Sequence, residues 1–556
     1  MQTICLKQNS FMKGALVRAV LFTVCFLLFS SGSFAQSRLR VGNFPGSLIT
    51  ITSGKKTVRF AVSPGTDIRG ATLAVNVTPY NSDGRVAYRT GPSFTRTISG
   101  VEEDGTISIG ITTPGPGLFQ LDATLTSASG DILAQATSSI AVVTKRTEVG
   151  PSDFGIVTHF GQGTGAPPSV LVPLIKQAGF SWIRDEMYWQ AIEKTPGSFV
   201  FPASFDTYIT TAAQMGISPL VVLDYGNPVA YPKLFAQSNF PQTPEARALF
   251  VGYVNAVVKR YGASVKHWEL WNEPDFSKIS YENYLALLKD SYTAIKTLSP
   301  DSTVISCGGG GAGGGPGGDC IVAIVDKGGL NDQDGFSIHP YMPPNPPETG
   351  YKGKGGPIES VSIPTTWPYL HDFTMQHVKA NGQPLQVWVT ELGWPVNPKV
   401  PGQDEATQAA NLARSYLLSR RYAAVHVLFW YDFVDDGTDI NNFEFNFGLL
   451  HNDLTPKPAF VATSVLATTL GKRKWDKSLI DTPDVKVYQY GPGDPVIVGW
   501  TPGTEDRTAA SVSLPPGHYI QRDWQGVETA VNITDGNFDW QLGPLPRYLI
   551  PAKTAR

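Results

Sequence analysis

The sequence predicts an α/β protein built on a (β/α)8 TIM barrel, with an immunoglobulin-like β-sandwich before it and a small β-sandwich after it. Three observations carry this reading. Eight short β-prone segments alternate with helical patterns between residues 151 and 470, the rhythm of a parallel barrel. Residues 36–150 show short alternating runs separated by turn signals. Residues 471–556 return to β-rich alternation.

In chain order, residues 1–35 read as an export signal. Lys7, Lys13 and Arg18 precede an apolar run, and Ser33-Phe34-Ala35 offers small residues for cleavage. The apolar run is short for a bilayer span, so the mature protein is expected to have no membrane span and to be periplasmic or extracellular. In the 36–150 region, Thr57-Val58-Arg59-Phe60 and Ala71-Thr72-Leu73-Ala74 alternate, with turns at Ser82-Asp83-Gly84 and Ser129-Gly130-Asp131. It shows no cluster of exposed-type aromatics and is read as a structural spacer ahead of a sugar-binding module. The barrel strands are expected at 154–160, 181–184, 219–224, 267–271, 303–307, 335–339, 386–390 and 426–430. Thr243-Pro244-Glu245 opens a helix running to Tyr261, with Thr as N-cap and Pro at the first position. Strands at 485–490, 495–501, 509–514 and 547–550 form the last sandwich, which the linker near residue 145 is expected to complete.

Charge and cysteine content narrow the function. Loss of the three basic residues in the signal leaves 41 of the chain's 44 against 47 acidic residues, a net charge of −6. Nucleic acid is therefore not an expected partner, since nothing is available to neutralise phosphates. The chain's remaining cysteines, Cys307 and Cys320, suit a disulfide in an oxidising compartment. Without clustered His they cannot make a zinc site, and neither a metal nor a cofactor is implied. The glycine run 308–318 satisfies a phosphate-loop pattern only trivially, because no Lys-Ser/Thr follows it. A loop allowing close backbone approach fits better.

Two carboxylates carry the chemistry. Glu273 ends the fourth predicted strand in His267-Trp268-Glu269-Leu270-Trp271-Asn272-Glu273-Pro274, and Glu391 ends the seventh in Val387-Trp388-Val389-Thr390-Glu391-Leu392-Gly393-Trp394. Strand ends of a barrel converge on one mouth, so the two acids would face each other there. Paired carboxyls about 5–5.5 Å apart are what retaining cleavage of a sugar acetal requires. Glu269 is read as a salt-bridged strand carboxylate turned away from the mouth.

Trp-Asn-Glu-Pro and Thr-Glu-Leu-Gly-Trp, in this order, resemble a clan A retaining glycoside hydrolase, nearest to family 39, with families 5 and 42 as relatives. The resemblance covers the whole barrel. It implies that Glu273 is the acid/base, Glu391 the nucleophile, and that Asn272 hydrogen-bonds the substrate 2-hydroxyl. It implies further that Tyr341 bonds the nucleophile, with His339 behind it, and that Arg184 keeps Glu391 ionised. The competing reading of Arg184 is a surface ion pair with Asp185 or Glu186. Trp430 is expected as the floor under the cleaved sugar, with a core Trp as the alternative. His159 is expected to touch substrate hydroxyls or to be structural. Tyr225 and Trp394 are placed on mouth loops. The expected activity is hydrolysis of β-linked oligo- or polysaccharide; a silent glycan-binding barrel and a transglycosylase are the alternatives.

Overall fold

The computed structural model describes residues 39–41, 48–88, 91–102, 105–163, 165–274, 279–310, 318–352, 360–503 and 508–552. The expected export segment, residues 1–35, lies outside them. Its centre is a closed eight-stranded parallel barrel. The strands are Phe154–Val157 (β1), Trp182–Tyr188 (β2), Ser218–Asp224 (β3), His267–Leu270 (β4), Thr303–Gly310 (β5), Gly335–His339 (β6), Gln386–Leu392 (β7) and Val427–Trp430 (β8). They pair in chain order, and β8 closes on β1. Among the described residues, eight helices of nine residues or more surround them: Pro168–Ala178 (α1), Ala203–Met215 (α2), Pro244–Tyr261 (α3), Tyr281–Leu298 (α4), Gly318–Asp326 (α5), Ile363–Gln376 (α6), Glu405–Tyr422 (α7) and Pro458–Leu470 (α8). Helix α3 starts as expected, with Thr243 Oγ1 accepting the N–H of Ala246.

The barrel interior is layered. Its lower part is filled by Val157, Trp182, Leu220, Ile305, Trp388, Val427 and Phe429, with the ring of His267 edge-on to Trp182. Two residues further along the strands the inward positions turn polar: Arg184, Glu269, Ser337 and Thr390. Inward positions two apart on a strand share a face, so this polar layer rests on the apolar plug and supports the mouth. A second, larger apolar layer lies between strands and helices and draws in Leu270, Ile338, Val389, Leu428 and Trp430.

Before the barrel, sheets of three and five strands enclose one core that includes Phe60, Leu73, Leu121 and Ile140. After it, a six-stranded sheet faces the pair Thr508–Ser513 and Asn537–Leu542 over Val487, Ile497, Trp540 and Leu549. The other face of the large sheet lays Tyr488, Tyr490 and Trp500 against the barrel's outer layer. The linker does not complete this sheet: residues 144–150 are not in strand conformation. Arg146 instead donates to Ser464 O and Thr468 Oγ1 of α8, tying the linker to the barrel. Among the described residues, no helix is long and apolar enough to cross a membrane.

Candidate active site

Glu273 reaches the mouth through two left-handed backbone residues. Past the end of β4, Trp271 has φ 68° and Glu273 φ 49°, a conformation uncommon for side chains other than glycine and costing roughly 1–3 kcal/mol each. These turns break the strand's alternation. The backbone N–H of Glu273 donates to Gly308 O at 2.5 Å. A Cβ at Gly308 would sit 2.8 Å from Trp271 O and 2.9 Å from Glu269 Oε1, so only glycine permits this approach. The first residue of the glycine run is thus part of the scaffold of Glu273; residues 311–317 lie outside the described residues. Cys307 and Cys320 are disulfide-bonded with Cα atoms 5.9 Å apart, anchoring the run at both ends.

Glu391 is aimed by a different device. Between Val389 and Leu392, β7 sets one residue more against β8 than alternation allows. This bulge lets both Thr390 and Glu391 face inward, whereas Leu392 returns to the outer layer. Below it, Arg184 spans three partners: Nε to Glu269 Oε2 at 2.6 Å, one terminal nitrogen to Glu391 Oε1 at 2.8 Å, and the other to Asn272 Oδ1 at 2.8 Å. The predicted second strand stopped at Arg184; the observed one runs four residues further, which places Arg184 inside the barrel instead of at the strand end. Asp185, its alternative partner, accepts the N–H groups of Phe160 and Gly161. Glu269 is salt-bridged as expected, yet it faces the interior, where it accepts from Arg184, Ser337 and Thr390.

His339 connects the two acids. Its Nδ1 lies 3.1 Å from Glu273 Oε1 and 3.5 Å from Glu391 Oε2, and its Nε2 lies 2.9 Å from Thr390 Oγ1. Thr390 gives its one hydroxyl proton to Glu269, so its oxygen must accept from His339 Nε2–H. Nδ1 therefore faces Glu273 and shares one proton with it. Tyr341 Oη donates to Glu391 Oε2 at 2.9 Å. An oxygen of Glu273 and one of Glu391 fall within 4.8 Å of each other and of His339.

These surroundings split the two carboxyls. Burial raises the pKa of Glu273, with the Glu391 charge adding to it, against the hydrogen bond and charge of His339. Burial also acts on Glu391, but His339, Arg184 and the Tyr341 hydroxyl outweigh it and hold its carboxyl below the ordinary glutamate value. For His339, burial opposes protonation, and the charges of Glu391 and Glu273 overcome it and raise the pKa.

The profile of the cellulase family (glycosyl hydrolase family 5) matches residues 145–430, a range holding all eight barrel strands. Among solved structures, the chain is similar to a family 39 glycoside hydrolase from the gut symbiont Bacteroides cellulosilyticus WH2, at 35% identity and a TM-score of 0.81, over 92% of this chain and 100% of that one. The chain belongs to the clan A glycoside hydrolases. A family 39 β-xylosidase from Caulobacter crescentus shares the fold at 16% identity and TM-score 0.50, over 73% of this chain and 98% of that one. No curated protein matches the sequence. The protein is thus a glycosidase, and its substrate is a carbohydrate.

Two aromatics of this glycoside hydrolase lie elsewhere than expected. Trp430 is fully buried in the layer between strands and helices, stacked on Trp394 at 5.7 Å, so neither is a mouth residue. The inward set of β8 is Val427 and Phe429, and the next residue of that parity, Tyr431, comes to the mouth. Tyr431 is half-buried, with its ring 6.2 Å from Tyr341 and 5.6 Å from His159. His159 pairs with Asp436 at 2.8 Å and lies 3.7 Å from Asp432. Burial opposes its charge, but the Asp436 hydrogen bond and the Asp436, Asp432 and Asp185 charges push it up to about 10.

Across the mouth, Tyr225 Oη accepts from Asn272 Nδ2 at 3.1 Å and lies 3.4 Å from Glu186. Glu444, on the loop after β8, is pushed up to about 7 by desolvation and then by the charges of Glu391 and Glu273. Among the described residues, two groups bring three ligand-type atoms within 4.8 Å: His159 with Asp432 and Asp436, and Glu273 with His339 and Glu391. In each, an imidazole nitrogen already faces a carboxylate at hydrogen-bond distance, so charge attraction accounts for the cluster without an ion.

Proposed function

We propose that the protein is a retaining β-glycosidase acting on neutral β-linked oligo- or polysaccharide, with Glu391 as nucleophile and Glu273 as acid/base. The observation that carries this is the pair itself. Two carboxyls lie within 4.8 Å, one held below and the other above the ordinary glutamate pKa by the groups around them. That spacing matches attack by a carboxylate and leaves little room for the water that an inverting pair must hold between its acids.

In the first step a Glu391 oxygen bonds to the anomeric carbon as the glycosidic C–O bond breaks. The bonding pair stays on the leaving oxygen, which takes the proton of Glu273. In the second step water attacks the same carbon, its proton passes to Glu273, and the ester bond to Glu391 breaks. His339 Nδ1 keeps the exchanging proton beside Glu273, and Asn272, oriented by Arg184 and Tyr225, is placed for the 2-hydroxyl. Tyr431 takes the role of sugar floor that was expected of Trp430. The pair His159–Asp436 is assigned to substrate hydroxyls.

Neutral substrates fit the electrostatics. Glu186, Asp436 and Glu444 lie around the mouth, while the guanidinium of Arg184 is spent on Glu269, Glu391 and Asn272. We also read the chain as exported and as divided near residues 150 and 470. The disulfide supports the first, since such bonds persist in oxidising compartments. Separate apolar clusters in the two flanking sandwiches support the second.

The test is to incubate the protein and Glu391→Ala with β-linked polysaccharides and aryl glycosides, following product size and anomer by NMR. A first product of retained configuration, absent in Glu391→Ala, is expected. An inverted first product or an active Glu391→Ala would refute the assignment. New linkages formed with added acceptor sugars would point to transglycosylation.

A further inference from the structure

A second concavity lies beside the catalytic mouth. It is a cleft of about 490 Å³ between the N-terminal sandwich and the barrel, lined among others by Tyr80 and Val86 from the sandwich and by Val396, Pro401, Gln403 and Ile440 from the loops after β7 and β8. Both loops leave the C-terminal ends of their strands, so the cleft opens on the same face of the barrel as Glu273 and Glu391.

The sandwich turn that forms one wall is built to stay there. Asn81 Oδ1 accepts the N–H groups of Asp83 and Arg85, closing the turn on itself. Gly84, at φ 80°, packs so tightly that a Cβ would sit 2.7 Å from Leu545 and 2.9 Å from Ala406. Arg85 reaches Asp404, the N-cap of α7, at 3.1 Å. Trp524 Nε1 donates to Asn81 O and Gln525 Nε2 to Tyr80 O. The barrel and the C-terminal sandwich thus both hold one turn of the N-terminal sandwich in the wall of the cleft, a placement that a plain spacer does not need.

The wall of the cleft packs onto the surroundings of the catalytic centre. Val396 donates its N–H to Asn446 O at 3.0 Å, and the next residue, Phe447, packs 5.9 Å from Tyr341 and 5.2 Å from Tyr431. Val396 follows Glu391 by five residues, so it lies within about 18 Å along even an extended backbone. Ile440 stands on the loop that carries Glu444. The walls are mainly aliphatic, with Tyr80 as one aromatic; the ion pair between Arg85 and Asp404 balances its own charge, and Glu405 adds one carboxylate at the edge. Such a surface suits the C–H faces of uncharged pyranose rings, with side-chain amides such as Gln403 at the edges for hydroxyls.

We propose that this cleft is a distal subsite, shared between the N-terminal sandwich and the barrel, which binds sugar units of a neutral polysaccharide beyond those held at the catalytic glutamates. The inference rests on the glycosidase reading above and makes the protein an enzyme that prefers long chains. It is tested with the polysaccharide that the wild-type protein degrades best and a size series of oligosaccharides prepared from it. The readout is kcat/KM for long against short members, for wild type, Val86→Arg on the sandwich wall and Ile440→Arg on the barrel wall, with thermal melting of each. Ile440 is 43% exposed, so its variant is expected to fold even if Val86→Arg does not. The expected result is a rise of kcat/KM with chain length in wild type, and a loss of about tenfold in the long-to-short ratio in each folded variant, the size of one apolar sugar contact. Wild-type rates independent of chain length, or an unchanged ratio in a folded Ile440→Arg, would overturn the distal subsite and leave the glycosidase reading standing. Wild-type inactivity on every glycan would instead bring down the glycosidase reading, and the subsite with it.

Discussion

The ends of β4 and β7 solve one problem in opposite ways. At β4 the backbone bends: two left-handed residues, Trp271 and Glu273, turn the acid into the mouth against a glycine that leaves room for them. At β7 the ladder slips: a bulge adds one inward position, and Glu391 occupies it. Their surroundings differ to match. Glu391 touches Arg184 and Tyr341, groups that favour a charged carboxylate, whereas Glu273 has the proton-sharing edge of His339. Two identical side chains acquire different chemistry from what the strand end places beside them.

Substitutions can break or sharpen this comparison. The largest effect is expected for Glu391→Ala, a loss on the order of 10⁴-fold or more in kcat on every substrate, because no covalent intermediate can form. Glu273→Gln should cost about 10²–10⁴-fold on unactivated glycosides. On aryl glycosides whose leaving group needs no proton, the first step should be nearly spared. Equal losses for both variants on both substrates would mean that the two acids are not divided in role.

The pH profile carries the next test. Activity needs Glu391 ionised and Glu273 protonated. The acidic limb should therefore fall below, and the alkaline limb above, the ordinary glutamate value of 4.5. Tyr341→Phe removes a hydrogen bond to a charged acceptor, costing roughly 1.5–3 kcal/mol, about ten- to a hundredfold in kcat/KM. It should move the acidic limb upward while leaving the alkaline limb nearly in place. His339→Ala removes a group that lowers both carboxyl pKa values, so both limbs should move upward. The smallest effect on chemistry is expected for Cys320→Ser. It loses roughly 3 kcal/mol of stability on loop-closure grounds, read as a lower melting temperature with kcat on aryl glycosides little changed.

Much of this was legible in the sequence. The two acids stand in specific aromatic motifs, and strand counting placed them on facing strand ends of a barrel. Tyr431 was missed in favour of Trp430 for a physical reason. A parallel strand covered on both faces is apolar at every position, so Val427-Leu428-Phe429-Trp430 does not reveal which residues point inward. The bulge at Thr390-Glu391 was equally hidden, since alternation alone would turn one of the two outward. The interior placement of Arg184 and Glu269 needed the true length of β2 and the register of β4. The N-terminal sandwich was read as a spacer because its own residues show no aromatic platform; its wall of the cleft becomes a wall only when packed against the barrel.

Arg184 answers two buried carboxylates, Glu269 and Glu391, with one positive charge. Counted with the single proton shared by Glu273 and His339, these five groups carry a surplus of one negative charge at rest. The reaction's positive charge gathers on the sugar at the transition state, so the surplus is opposed to it before any bond moves. Once the sugar is esterified to Glu391, the proton of Glu273 has left with the departing oxygen, so the surplus has moved from Glu391 to Glu273. Release of the sugar returns a proton to Glu273 and the charge to Glu391, so one negative charge passes back and forth between the two acids while the barrel's centre keeps its total.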